Sequence, residues 1–489
     1  MNLAAIIEDH PAERSALVDR GATITYGQLR ERVADLRAGL SGLGLEPGDR
    51  VAIIRDNDTG FVTSYLAILG AGLVAVPLNP QSPDRELARE LAAVGARAVV
   101  AGATPDGDPS WRSAVDHVVT PDELVAQADG RAPAAIVDRA DADLAVLLFT
   151  TGTAGPPKAA KLTHGSLKAN IDQLLAHPGS VQTADDVVLG VLPLFHIFGL
   201  NVMLGLTLAT GATLVLVDRF EPQAAVDTMA EHGITLLSGP PTLFAALTRL
   251  PESETSARAF AAVRLTASGA APLSAEVADA FQARFGLRLH QGYGLTEASP
   301  AVTTTVGLDA PVESIGVPLP GVEVRVVDVD GENVLAGDGG EIRVRGPNVF
   351  AGYWDDDEAT RTVLTTDGWL RTGDLGVTDD DGLLYIVDRA KDLIIVSGFN
   401  VHPAEVEEVV MEHPAVQEAA AVGVPDNATG EAVKVFVVLA PDADAAVDEA
   451  ELIRFCESHL ARYKCPDAVE LVDQIPRGFA GKLLRRSLR

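Results

Sequence analysis

The chemistry-bearing residues concentrate most densely in one nine-residue segment. TTGTAGPPK (150–158) places three hydroxyls, two glycines and a lysine directly after the apolar run Leu144–Phe149. Glycines let backbone N–H groups approach an anion closely, threonines donate hydrogen bonds, and Lys158 supplies charge, so the segment suits a phosphate cradle. It is not a P-loop, because the Gly-Lys-Ser/Thr ending is missing. A flexible turn has the same composition, and composition alone leaves both readings open. Other residues are equally ambiguous in isolation. His196 in PLFHIFG (193–199) reads by itself as a packed core histidine. Glu297 is one of 69 acids, and Gly373-Asp374 is a turn signal. Lys482 stands near the C-terminus, where a lysine is ordinarily solvated, but Gly481 precedes it and a basic run follows in a very acidic chain.

The elements that must position these residues form three textures. In the first half, Thr25 can cap a helix running toward Leu40, and Pro47-Gly48-Asp49 turns into the strand Val51–Ile54. The strand Val74–Pro77, a helix near Arg85–Val94 and the strand Ala98–Ala101 follow. Short apolar strands separated by helices predict a mainly parallel sheet covered on both faces. The segment Asp106–Asp141, rich in Pro, Asp and Ala, reads as peripheral connection. After about Glu313, alternating strands such as Val322–Val329 and Glu341–Gly346 predict a small β-subdomain over 315–387. From Asp388 onward, helix Pro403–Met411, strands Glu418–Val424 and Val433–Leu439, and helix Glu449–Leu460 predict an α+β unit of about 100 residues. The expected architecture is therefore α/β: an N-terminal domain over 1–387, a hinge at 388–391 and a small α+β C-terminal domain over 392–489.

Bulk properties bound the function. A chain of 489 residues exceeds one compact core. The net charge of −31, from 38 basic and 69 acidic residues, argues against nucleic acid or an anionic membrane as partner. Val187–Val217 lacks Asp, Glu, Lys and Arg, but Pro193, His196, Gly199, Asn201, Gly205 and Gly211 interrupt it. It is expected to fold as strand, buried helix and strand rather than as a membrane span. Two cysteines, Cys456 and Cys465, and an acidic start, MNLAAIIEDH, fit a reducing cytoplasmic setting.

TTGTAGPPK followed by KLTH (161–164) resembles the signature loop of the adenylate-forming superfamily, which holds acyl-CoA synthetases, firefly luciferase and peptide-synthetase adenylation domains. The usual Thr-Ser-Gly-Thr-Thr-Gly-x-Pro-Lys-Gly is altered here by Thr151, Ala154 and Ala159. Seven further stretches match in the family's order over nearly the whole chain. The resemblance implies that Thr150, Thr151, Gly152, Thr153, Gly155 and Lys158 hold the ATP phosphates, and that His196 borders the acyl carboxylate. ASGAAPL (267–273) implies adenine contacts from Gly269, Ala270, Ala271 and Pro272. GYGLTE (292–297) implies that Gly292, Tyr293 and Gly294 frame the adenine with the ring of Tyr293 stacked on it, that Thr296 bonds the α-phosphate, and that Glu297 holds Mg²⁺. The last assignment suits a cation that takes one or two carboxylates and phosphate oxygens. LRTGD (370–374) implies Asp374 on the ribose; DRAKDLI (388–394) implies Arg389 at the ribose and Lys391 as the pivot. VSGFNVHPAEVE (396–407) implies a coenzyme A channel at Ser397, Gly398 and Phe399. IPRGFAGKLLRR (475–486) implies Lys482 as the catalytic lysine, with Ala480 where Ser is usual.

The activity so implied has two steps: a carboxylate attacks the α-phosphorus of ATP and expels pyrophosphate, and the acyl group then passes to coenzyme A. Little covalent chemistry falls to the protein, so positioning and charge neutralisation should dominate. The alternatives are a peptide-synthetase adenylation unit, a luciferase-type oxygenase, an acyl-AMP ligase loading a carrier protein, and an inactive nucleotide-binding scaffold. The expected acyl pocket (His196, Phe198, Asn201, Val202, Gly239, Pro240, Ser268 and Ala270) carries no arginine or lysine, which favours an uncharged-tail monocarboxylate such as a fatty acid. The oligomeric state is not legible from the sequence.

Overall fold

The structure, a computed structural model, describes residues 1–102, 109–128, 134–150, 158–180, 182–251, 257–328, 330–389, 394–440, 447–476 and 488. Three sheets organise it. The first, of six strands, runs in the order 117–119, 98–101, 50–54, 74–78, 144–150, 158–163, parallel except for the last pair. Its central strands are apolar throughout because helices cover both faces: every residue of Val74–Leu78 is buried. The helix Tyr26–Leu40 begins with a capping box, in which Thr25 accepts from the Gln28 N–H and Gln28 accepts from the Thr25 N–H. The helix Thr59–Gly70 starts on Asp58 and is buried over 61–70. The stretch expected as connection carries more structure than its composition suggested. The strand His117–Val119 extends the sheet beside 98–101, and a helix spans Pro121–Ala128.

The second hydrogen-bonded path has thirteen strands. Six neighbouring strands, 15–19, 213–216, 187–190, 236–239, 265–268 and 289–294, are parallel. Beyond 289–294 the pairing turns antiparallel, through 301–304, 314–318, 384–389, 370–378, 340–345 and 323–327. The strands expected over 315–387 hydrogen-bond onto the large sheet through 301–304 and 314–318. The charge-free stretch folds as strand Val187–Gly190, a buried helical segment over 198–210 whose first part, Phe198–Gly205, is a π-helix, and strand Thr213–Leu216. Among the described residues no helix is long and apolar enough to cross a membrane.

The third sheet makes the small C-terminal domain: 399–401, 394–396, 430–439 and 416–426 in order, with 468–471 parallel to 430–439. Its own core gathers Val406, Val410, Val435, Leu452 and Cys456. Cys456 and Cys465 are free and buried, and burial pushes their thiols up to about 12 and about 11, so they pack as inert apolar groups.

Candidate active site

Parallel strands direct their carboxyl ends, and the loops that follow, to one edge of a sheet, where ligands of such folds bind. Here the strands 265–268 and 289–294 deliver the ASGAAPL and GYGLTE segments side by side, because Ala267 pairs with His290 and Ser268 with Gln291. The strand 187–190 leads into PLFHIFG, which Asn57 anchors: its Nδ2 donates to the Leu192 carbonyl at 2.8 Å and its Oδ1 accepts from Leu194 N–H at 3.0 Å. The result is a cavity of about 630 Å³ between the two domains.

The cavity lining holds the nucleotide set, Thr150, Lys158, Gly269, Ala270, Ala271, Pro272, Gly292, Tyr293, Gly294, Thr296, Glu297 and Asp374. Asp374, inside the strand 370–378, accepts at Oδ2 from the Tyr293 hydroxyl at 2.6 Å. Arg389 is the residue paired with Asp374 across the adjacent antiparallel strand. Glu297 accepts at Oε1 from the Tyr353 hydroxyl at 2.7 Å. Burial and the neighbouring Glu297 carboxylate hold that phenol far above the ordinary tyrosine range, so Tyr353 stays a donor and fixes the carboxylate. Lys158 lies 5.6 Å over the Tyr353 ring and 3.7 Å from Asp356. Tyr353 was not expected from sequence, since nothing about AGYW sets it apart from a packed aromatic. Ala270 adopts φ +67°, a left-handed backbone uncommon outside glycine, which turns this loop sharply over the cavity.

The lining also holds an apolar set, Phe198, Val202, Met203, Leu206, Leu236 and Leu265, together with His196 and Ser268. His196 Nδ1 accepts from the Phe198 N–H at 3.3 Å, so the ring proton sits on Nε2. Burial pushes this imidazole down to about 4 and keeps it neutral. Ser268 Oγ is buried without a hydrogen-bond partner among the described residues. Three residues expected in the acyl pocket lie elsewhere. Asn201, 1% exposed, donates its amide to the Leu167 and Ser299 carbonyls at 3.1 and 2.7 Å, knitting helices together. Gly239 closes on Leu243, where a Cβ would stand 2.8 Å from Cδ1. Pro240 faces the C-terminal domain: a Cβ on Gly398 would lie 2.9 Å from its own Cβ.

The C-terminal domain supplies the remaining wall through Gly398, Phe399, His402 and Tyr463. Ser397 and Gly398 form a left-handed turn with φ +53° and +87°. That turn presents Phe399, stacked on Tyr463 at 4.6 Å and on Phe195 at 6.2 Å, and edge-on to His196 at 6.3 Å. Ser397 itself is held back by its N–H bond to the Thr429 carbonyl at 2.6 Å and does not line the cavity. Thr151, Gly152, Thr153, Gly155, Lys391 and Lys482 lie outside the described residues.

The AMP-binding enzyme family profile matches residues 3–354, and that of the AMP-binding enzyme C-terminal domain matches 405–482. The chain belongs to the AMP-binding enzyme family. A long-chain-fatty-acid–CoA ligase of Escherichia coli O157:H7 is 38% identical to this AMP-binding enzyme, over 98% of this chain and 92% of that one. A feruloyl-CoA synthase of an Amycolatopsis species is 37% identical over 96% and 94%. The o-succinylbenzoate CoA synthetase of Bacillus subtilis, a double mutant bound to its product analogue, superposes with a TM-score of 0.87 at 30% identity, over 100% of this chain and 97% of that one. The AMP-binding enzyme described here is an ATP-dependent, AMP-forming acid–CoA ligase of the adenylate-forming superfamily.

Proposed function

We propose that this ligase activates a monocarboxylic acid with an uncharged tail, of the fatty-acid kind, as its acyl-adenylate and transfers the acyl group to coenzyme A. The observation that carries the substrate class is the apolar set in the cavity lining. Of the described lining residues, the lysine and the arginine are Lys158 and Arg371, and both engage acids, Asp356 at 3.7 Å and Glu341 at 3.2 Å. Among the described lining residues a second carboxylate on the acyl side would meet no unpaired lysine or arginine, a cost of several kcal/mol. The fatty-acid ligases among its relatives support the same choice.

In the first step an oxygen of the carboxylate bonds to the α-phosphorus while the bond to the bridging oxygen breaks and pyrophosphate leaves. Asp374 and Arg389 are assigned to the ribose, the Tyr293 ring to adenine, Thr296 to the α-phosphate, and Thr150–Lys158 to the β- and γ-phosphates. Lys482 is assigned to the attacking carboxylate. Mg²⁺, held by Glu297 together with phosphate oxygens, would neutralise charge on the polyphosphate; the Tyr353-fixed carboxylate fits a cation that accepts few protein ligands and keeps its waters. Neutral His196 would donate through Nε2–H at the junction of the acyl and nucleotide sides. In the second step the thiol enters beside Gly398 and Phe399, attacks the acyl carbon and expels AMP. The domain division at 388–391, with Lys391 as pivot, is part of the same proposal.

Pyrophosphate release from ATP with a series of monocarboxylic acids, measured without and then with coenzyme A, tests the reading. Adenylation without coenzyme A, followed by thioester and AMP on its addition, is expected. Acyl-adenylate that never passes to coenzyme A would reassign the chain as an acyl-AMP ligase.

A further inference from the structure

Lys464 is 2% exposed, yet it belongs to no catalytic motif. Its ammonium donates to Glu86 Oε1 at 2.5 Å and to Glu405 Oε1 at 3.0 Å. Glu86 comes from the helix Asp84–Val94 of the N-terminal domain, whereas Glu405 and Lys464 belong to the C-terminal domain. Glu86 also accepts from the Ala461 N–H at 3.0 Å, and Arg89 reaches Glu405 at 3.5 Å. At the rim Arg85 pairs with Glu412 at 2.6 Å. Glu90 faces the same cluster, and burial, then Glu86, push its carboxyl up to about 8. With Glu90 protonated, two anions (Glu86, Glu405) balance two cations (Lys464, Arg89).

A buried ionic cluster is a poor device for stability alone, since apolar groups of similar volume serve as well or better. Its short contacts do tie the two domains in one arrangement, in which Lys464 reaches a carboxylate from each. That geometry is coupled directly to the cavity: Tyr463, the residue before Lys464, stacks on Phe399, which stacks on Phe195 beside His196. We infer that Lys464, with Glu86 and Glu405, is a positioning element for thioester formation, seating the C-terminal domain so that Phe399 and Tyr463 close the cavity over His196. The inference rests on the two-step reading above. That the chain superposes end to end on a relative holding a coenzyme A product analogue is consistent with this seating.

The test separates the half-reactions. Pyrophosphate release is measured with ATP and dodecanoate, and thioester formation with supplied dodecanoyl-adenylate and coenzyme A. Lys464→Met should lower thioester formation by ~100-fold or more, the scale of breaking a buried pair, while pyrophosphate release stays within about twofold. Glu86→Gln, which keeps a hydrogen-bonding partner for Lys464 and Ala461, should show the same split with a smaller loss, and it carries the test if Lys464→Met does not fold. The exchanged pair Glu86→Lys with Lys464→Glu should recover part of the thioester rate. Equal loss of both steps in Glu86→Gln with an unchanged circular dichroism spectrum would reduce the cluster to a folding role and overturn the proposal. Unchanged thioester formation in either variant would overturn it as well. Failure of the two-step reading looks different: the wild-type enzyme itself would form no thioester from the adenylate.

Discussion

The Tyr293 hydroxyl donates a 2.6 Å hydrogen bond to Oδ2 of Asp374, joining two strands whose residues are 81 apart in the chain. The bond makes different predictions for the two partners. Asp374→Ala removes a charged acceptor assigned to the ribose and should raise the KM for ATP by roughly 10- to 100-fold, the range for a hydrogen bond to a charged group. Tyr293→Phe keeps the ring face and should change that KM by less than about fivefold. A larger effect from Tyr293→Phe than from Asp374→Ala, in steady-state titrations with ATP, would reverse the two roles.

Glu297 and Tyr353 form the second such pair. Glu297→Gln keeps the shape but loses a hard anionic ligand, so the Mg²⁺ concentration for half-maximal adenylation should rise about tenfold or more. Tyr353→Phe frees the carboxylate without removing it and should raise the requirement less, by about two- to fivefold. An unchanged Mg²⁺ titration for Glu297→Gln would take this residue out of the metal site.

How much of this site was legible in the sequence depends on whether a residue's role is local. The cap at Thr25 and the buried parallel strands follow from neighbours along the chain, and the sequence expressed them. Asn201 did not, because the π-helical geometry of 198–205 decides which face meets Leu167 and Ser299 rather than the ligand. The strand 117–119 was hidden by the Pro, Asp and Ala around it. Lys464 was hidden for a deeper reason: a buried lysine and a solvated one are the same letter, and its partner Glu86 lies 378 residues away.

His164 sets a pH dependence of stability. His164, buried, accepts at Nδ1 from the Leu3 N–H, and desolvation pushes it down to about 4, against 6.5 unfolded. A lowered histidine excludes its proton in the folded state, so its stability is intact above pH 6.5 and is lost as pH falls toward 4, by up to roughly 3 kcal/mol. Denaturant titrations at pH 7.0 and 4.5 should show that loss. His196, also pushed down to about 4, should contribute no ionisation to the adenylation profile between pH 5.5 and 9. A pKa of 6–7 in that profile that disappears in His196→Ala would contradict the neutral tautomer.

Gly398 combines φ +87° with a Cβ position 2.9 Å from Pro240 Cβ. Gly398→Leu is therefore strained in backbone and blocked by bulk in this seating, and should depress thioester formation from supplied acyl-adenylate by about 100-fold or more. Pyrophosphate release, assigned to the nucleotide-binding groups of the N-terminal domain and to Lys482, should stay within about threefold. Parallel loss of both half-reactions with intact circular dichroism would remove Gly398 from the thiol channel.

The proposed acyl pocket, whose described lining offers no unpaired lysine or arginine, should discriminate against a second carboxylate. Coenzyme A thioester formation should be compared for dodecanoate and succinate by kcat/KM under identical ATP, Mg²⁺ and coenzyme A. Dodecanoate should be preferred by ~10³-fold, the consequence of burying an unpaired carboxylate. Turnover of succinate at a rate equal to or above that of dodecanoate would contradict it.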